Sequence, residues 1–215
     1  MTKTKIAKRI SSALSVHSLS LDKLTQSAEQ VVVFGSWALG AERVTSDVDL
    51  FCVGNGNRLK KNFADIVWMV PDDVMKPKWL GSELANHIAK YGIWLKGKGD
   101  WRKSVFVSAK SVSFKKLLIR SRVNALEKLW DTLGREYRIK HVVKLRRDVQ
   151  RLTLMLKGKA VEPSPWLDLR WIRLGRDRAA LMKLLTRCGV VEMISPRQWR
   201  LFGPYLRFSD WQFTN

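Results

Sequence analysis

The chain has 215 residues, 46% of them hydrophobic, which is enough to bury a sizeable core and excludes a disordered tail. Its 40 Lys and Arg against 19 Asp and Glu leave a net charge of +21, which points to a polyanionic partner, by default nucleic acid. No run of 18 apolar residues exists and MTKTKIAKRISSALSV lacks a leader's apolar centre, so a cytoplasmic location is expected.

Ile6, Ile10 and Leu14 recur at helical spacing and predict an opening amphipathic helix. Residues 30–34 (QVVVF) predict a buried strand that ends in a turn at Gly35-Ser36, with a short helix over 37–42. Residues 47–53 (DVDLFCV) and 63–70 (FADIVWMV) predict two more strands, joined by the basic turn segment GNGNRLKKN. Ser82 reads as the N-cap of a helix that Gly92 stops, and 92–96 as a last strand. Beyond residue 103 the pattern becomes helical. One stripe of Phe114, Leu118, Leu126, Leu129, Trp130 and Leu133 is expected over 113–134, and a second of Val142, Leu145, Val149, Leu152 and Leu156 over 139–157. The Pro-containing segment 162–166 breaks the pattern, a helix follows over Asp177–Cys188, and Ser195-Pro196 opens a short final one. Cys52 and Cys188 are the only cysteines beside three histidines, so neither a zinc site nor a disulfide framework is expected.

Chemistry concentrates in GSWALGAERVTSDVDL, residues 35–50. Asp47 and Asp49 are two apart in a strand and so share a face. Adjacent carboxylates repel unless a cation lies between them, and hard oxygen ligands suit Mg²⁺ with nucleotide phosphates, Mn²⁺ being a possible substitute. Gly35 leaves room for phosphate to approach the backbone, and Ser36 offers a hydroxyl at the start of a helix. A hairpin turning about Asn57 would set Asp65 directly opposite Asp49. An acid inside so apolar a strand is costly unless paired or metal-bound.

The Gly35-Ser36, ten residues, Asp47-x-Asp49 spacing resembles the signature of the polymerase-β-like nucleotidyltransferases, especially their minimal branch, and the strand around Asp65 and GSELANHIAKYGIWL (81–95) are similar to that branch. The resemblance spans roughly residues 28–97. It implies an α+β fold, a nucleotidyltransferase core of mixed sheet with flanking helices, followed by a basic, mainly helical part. It implies transfer of a nucleoside monophosphate from an NTP such as ATP, with pyrophosphate leaving and two Mg²⁺ ions bound. Asp47, Asp49 and Asp65 would be catalytic and metal-binding, and Gly35, Ser36, Arg43 and Ser46 would hold the nucleotide. Leu39 departs from the Arg that many small members carry, and Arg43 stands in for it.

Charge then addresses the acceptor. Residues 1–100 carry 14 basic and 10 acidic side chains, a net of +4, whereas 101–215 carry 26 and 9, a net of +17. The expected division is a catalytic domain over 1–102 and a basic helical domain over 103–215 that binds nucleic acid, with tRNA 3′ ends as acceptor and a toxin role. Lys115, Lys116, Arg120, Lys144, Arg146, Arg147 and Arg151 are the candidate phosphate contacts, and Trp166, Trp171, Trp199 and Trp211 candidate stacking platforms. The alternatives are an AMP-transferring antitoxin acting on a HEPN-type toxin, an antibiotic nucleotidyltransferase, and an inactive nucleic-acid-binding module. Polycationic antibiotics fit a basic chain poorly. An acidic toxin or antitoxin partner protein is also expected. Arg135 and His141 show an Arg-x5-His spacing resembling the HEPN ribonuclease motif, which chance easily supplies in so arginine-rich a stretch.

Overall fold

The structure, a computed structural model, describes residues 2–43 and 46–208. The chain divides into two compact units, Met1–Phe106 and Val107–Asn215.

The first unit opens with α1 (Lys3–Ser15), capped by Thr2, which buries Ile6, Ile10 and Leu14 as their spacing predicts. α2 (Leu21–Ser27) follows under a Ser20 cap. It escapes the sequence reading because seven residues with one buried side chain show no stripe. Then come β1 (Ala28–Phe34), a single helical turn α3 (Gly35–Ala38), β2 (Val48–Gly54), β3 (Leu59–Lys61) and β4 (Ala64–Met69). α4 (Pro77–Leu80), α5 (Glu83–Tyr91), β5 (Ile93–Lys96) and a 3-10 turn (Asp100–Ser104) complete it.

The strands form one mixed sheet in the order β3-β4-β2-β1-β5. Val31, Val33, Leu50, Cys52 and Ile66 face α1 and α2, while Val32, Phe34, Phe51 and Val53 face Trp79, Leu80, Ile88 and Trp101. With both faces covered, the central strands read as continuous apolar runs.

The hairpin about Asn57 is not there. β2 and β4 run parallel, with Asp49 opposite Asp65 and Leu50 opposite Ile66, and the antiparallel partner of β4 is β3. The segment after β2 crosses Trp68: a Cβ on Gly56 would lie 2.3 Å from that indole, so only glycine lets the backbone pass. Asp49 and Asp65 still meet, but through a parallel register of constant offset, which equal spacing about residue 57 does not specify.

The second unit comprises α6 (Ala109–Lys128), α7 (Arg135–Met155), α8 (Ser164–Arg173), α9 (Arg178–Arg187) and α10 (Pro196–Phe202). A 3-10 turn (Trp130–Thr132) follows α6, and another (Gly203–Tyr205) follows α10. Its core joins Ile119, Val123, Leu126, Trp130, Val142, Leu145, Val149, Leu152, Trp171, Leu184 and Phe202. The single stripe expected over 113–134 is displaced: α6 stops at Lys128, Phe114 is 65% exposed, and the inward face is Lys115, Ile119, Val123 and Leu126. The break at 162–166 also begins a helix, since Pro163 is the N-cap of α8 and Pro165 lies in its first turn, where no amide donor is needed.

Two buried carboxylates hold these helices by collecting cations. Asp148 accepts from Lys115 Nζ at 3.2 Å and from Arg122, with Arg151 at 3.6 Å. Asp168 on α8 accepts from Arg146 at 2.9 Å and from Arg147 Nε at 3.0 Å.

Candidate active site

β1 delivers the chain to Gly35 at the level where Phe34 pairs with Asp49. Gly35 has φ of +67°, a left-handed conformation that favours glycine. A Cβ built there would lie 2.0 Å from Asp49 Oδ2, so the Asp49 carboxylate occupies the space a side chain would fill. Gly35 thus makes room for a carboxylate of its own chain. α3 then turns once, its Ser36 carbonyl accepting from Leu39 and Ala41 amides.

Asp49 and Asp65 lie side by side on β2 and β4. By strand alternation they share the sheet face of Phe51, Val53 and Val67, at the strand ends where that apolar layer stops. Burial first, then the charges of Asp47 and Asp65, push the Asp49 carboxyl from its ordinary 3.8 up to about 7, with Lys60 opposing. Asp65 lies directly across from Lys60 in the β3–β4 register. Lys60 Nζ donates to its Oδ2, and Arg58 donates to both oxygens at 3.3 Å. Burial alone raises the Asp65 carboxyl, but the Lys60 and then the Arg58 hydrogen bonds outweigh it and bring it below the usual range.

A half-buried carboxylate under the charge of two others is the environment a cation completes, and Mg²⁺ typically takes one or two carboxylates plus phosphate oxygens. Asp47 and Asp49 fit that description. Asp65 is engaged by Lys60 and Arg58, and among the described residues no three His, Cys, Asp or Glu side chains stand ready as a cage.

Ser46 closes a local turn: its Oγ accepts from the Arg43 amide at 2.9 Å, and its amide donates to the Arg43 carbonyl. Arg9 reaches this region from α1, its guanidinium 5.7 Å from the Trp37 ring centroid and ion-paired with Glu42. Neither Arg9 nor the Arg58–Lys60 pair was singled out from the sequence. Arg58 and Lys60 were findable, since two cations two apart before a strand bearing an isolated acid share a face.

Residues 16–104 match the family model described as "Nucleotidyltransferase domain". The first unit carries a nucleotidyltransferase domain. Nucleotidyl transfer is therefore its enzyme class, as the spacing of Gly35-Ser36, Asp47 and Asp49 led one to expect. Two solved structures are similar at low identity. A toxin–antitoxin complex with AMP-PNP aligns at 16% identity over 51% of this chain and 95% of that chain, with a TM-score of 0.26. A nucleotidyltransferase-like protein from Exiguobacterium sibiricum 255-15 aligns at 13% identity over 90% of this chain and 78% of that chain, with a TM-score of 0.34. No curated protein matches the chain.

Several candidate phosphate contacts in the helical unit are committed internally. Lys115 and Arg146 are buried in the ion pairs to Asp148 and Asp168, and Arg147 and Arg151 also bind those carboxylates. Arg120 and Lys144 are exposed and Lys116 half-buried. Trp171 and Trp199 are core residues and Trp166 is exposed, while Trp211 lies outside the described residues. Arg135 and His141 lie roughly 120° apart around α7, given 3.6 residues per turn. Burial, then Lys144 and Arg122, hold the His141 imidazole below its usual pKa.

No helix of the described residues is long and apolar enough to cross a membrane.

Proposed function

We propose that the chain transfers a nucleoside monophosphate from an NTP to the 3′-hydroxyl of an RNA, with transfer RNA as the acceptor class. The observation that carries the reading is the packing of Asp49 against Gly35, beside Asp65 and under the charge of Asp47, within a matched nucleotidyltransferase domain. Asp47 and Asp49 would hold divalent cation, Mg²⁺ by the hardness of its ligands, which supplies positive charge at the phosphoryl oxygens. The backbone at Gly35 and the Ser36 hydroxyl face the triphosphate, with Arg43 and Ser46 shaping the adjoining loop. The acceptor oxygen forms a bond to the α-phosphorus and the bond to the bridging oxygen breaks, so pyrophosphate leaves with its electron pair. Asp65, kept ionised by Lys60 and Arg58, orients the attacking hydroxyl and receives its proton at a carboxylate oxygen.

The RNA acceptor is supported by the net +17 of residues 101–215. The internal ion pairs reduce the number of cations free to serve it without reversing the sign.

The test is incubation of the purified chain with Mg²⁺, total tRNA and each α-labelled NTP in turn. Label should enter RNA with the parent chain and not with Asp47→Asn or Asp49→Asn. Label in protein would replace the RNA acceptor by a partner protein. No transfer, with RNA binding intact, would leave a binding module.

A further inference from the structure

The helical unit contains a cleft of about 340 Å³ between the turn after α6, the start of α7, and the segment from α10 to Phe208. Trp130, Tyr205 and Phe208 supply aromatic surface, Arg135, Arg200 and Arg207 supply three guanidinium groups, and among the described residues no carboxylate lines it. The interior cations of the unit, by contrast, are matched by Asp148 and Asp168, and Arg197, one turn before Arg200 on α10, pairs with Glu127 at 3.5 Å. Among the described residues, Arg135, Arg200 and Arg207 form no ion pair.

The aromatic side is built. Trp130, 5% exposed, packs edge-on against Tyr205 at 5.1 Å and beside Phe202 at 5.4 Å. Phe208 lies 6.2 Å from Tyr205 and carries two guanidinium groups over its ring, Arg135 at 5.6 Å and Arg207 at 5.4 Å. Arginines held by an aromatic face are oriented by π-contact and keep their N–H donors for a ligand. Planar apolar surface beside several such donors suits a planar base attached to phosphate, and single-stranded nucleic acid is bound by that combination. The volume stands at the lower end of ligand sites, about 300–1,000 Å³, the size for one nucleotide rather than a duplex.

We propose that this cleft holds one unpaired nucleotide of an RNA strand, its base against Tyr205 and Phe208 and its phosphates on Arg135, Arg200 and Arg207. That the strand is the transfer acceptor rests on the reading above; the binding does not.

The experiment measures fluorescence anisotropy of a labelled single-stranded oligoribonucleotide of about twelve nucleotides, a length matched to known single-strand sites. All variants carry Asp47→Asn, so turnover plays no part. Arg135→Ala with Arg200→Ala should weaken binding by roughly tenfold or more and flatten its salt dependence, because two phosphate contacts are lost. Both side chains are exposed, so the fold should hold, which circular dichroism checks. Phe208→Ala should weaken the base-bearing strand and leave binding of an abasic strand of equal length unchanged. Arg120→Ala with Lys144→Ala, the control pair, should have the smaller effect. Parent-like binding by the Arg135/Arg200 variant overturns the proposal, as does equal competition by the abasic strand. Label entering protein in the transfer assay, with these results intact, would sink the acceptor reading alone.

Discussion

A methyl group on Gly35 would sit 2.0 Å from an Asp49 oxygen, so the most permissive residue of the site and its most strained acid are one feature. Asp49 is costly as an anion. Burial, then Asp47 and Asp65, raise its carboxyl from 3.8 to about 7, so the folded chain holds that proton more tightly than the unfolded one. Stability from this group is therefore greatest below about pH 4, declines as pH rises to about 7, and is level beyond. At about 1.4 kcal/mol per unit the full loss is on the order of 4 kcal/mol. Asp49→Asn removes that burden: in cation-free buffer at about pH 8 it should unfold at higher urea than the parent, with the gap closing toward pH 4, while transfer is lost. Equal midpoints at pH 8 would refute a buried, uncompensated charge. The sequence identified this acid from its spacing. The burial that dominates its perturbation was invisible there, because it is a property of the assembled sheet.

β3 is only three residues long, yet it places Lys60 across from Asp65. On the proposed reading, a cation approaching Asp47 and Asp49 would meet a third carboxylate already paired with Lys60 and Arg58. Arg58→Ala combined with Lys60→Ala should tighten Mn²⁺ binding by roughly tenfold, about 1.4 kcal/mol, in a titration followed by electron paramagnetic resonance. An unchanged dissociation constant would show that the pair does not compete. In the helical unit, α6, α7 and α8 meet through polar groups as well as apolar ones. Asp148→Asn leaves Lys115, Arg122 and Arg151 without their buried counter-charge, and chemical denaturation should show a loss of about 3–5 kcal/mol. Asp131→Asn, at an exposed acid, should stay within about 0.5 kcal/mol. The α6 stripe was misplaced for a related reason. A buried lysine stands on its inward face at 115, while Phe114 and Leu117 face outward, so hydrophobicity alone selects the wrong face.

The whole chain is an electrostatic object at +21. If about five phosphates are contacted, binding of single-stranded RNA should fall roughly a hundredfold between about 50 and 200 mM salt, from a slope near −0.7 per contact. A salt-independent constant, read by the same anisotropy titration, would remove nucleic acid as the partner. The charge excess predicts attraction to a polyanion and not its location. Lys115 and Arg146 are spent on buried carboxylates, and the aromatic and arginine residues around Phe208 come from two distant stretches of chain.

What the sequence determined by itself is local and periodic: the strands around Val31–Phe34 and Val48–Val53, the helix at Ile6, Ile10 and Leu14, and the Gly35-Ser36, Asp47, Asp49 spacing. Each depends on neighbours a few residues away, which periodicity records. Tertiary structure alone decided that β2 and β4 run parallel, that Asp65 is held by Arg58 and Lys60, and which basic side chains lie inside. Strand direction, ion pairing and burial depend on which distant segments share a volume, and a one-dimensional pattern carries no record of that.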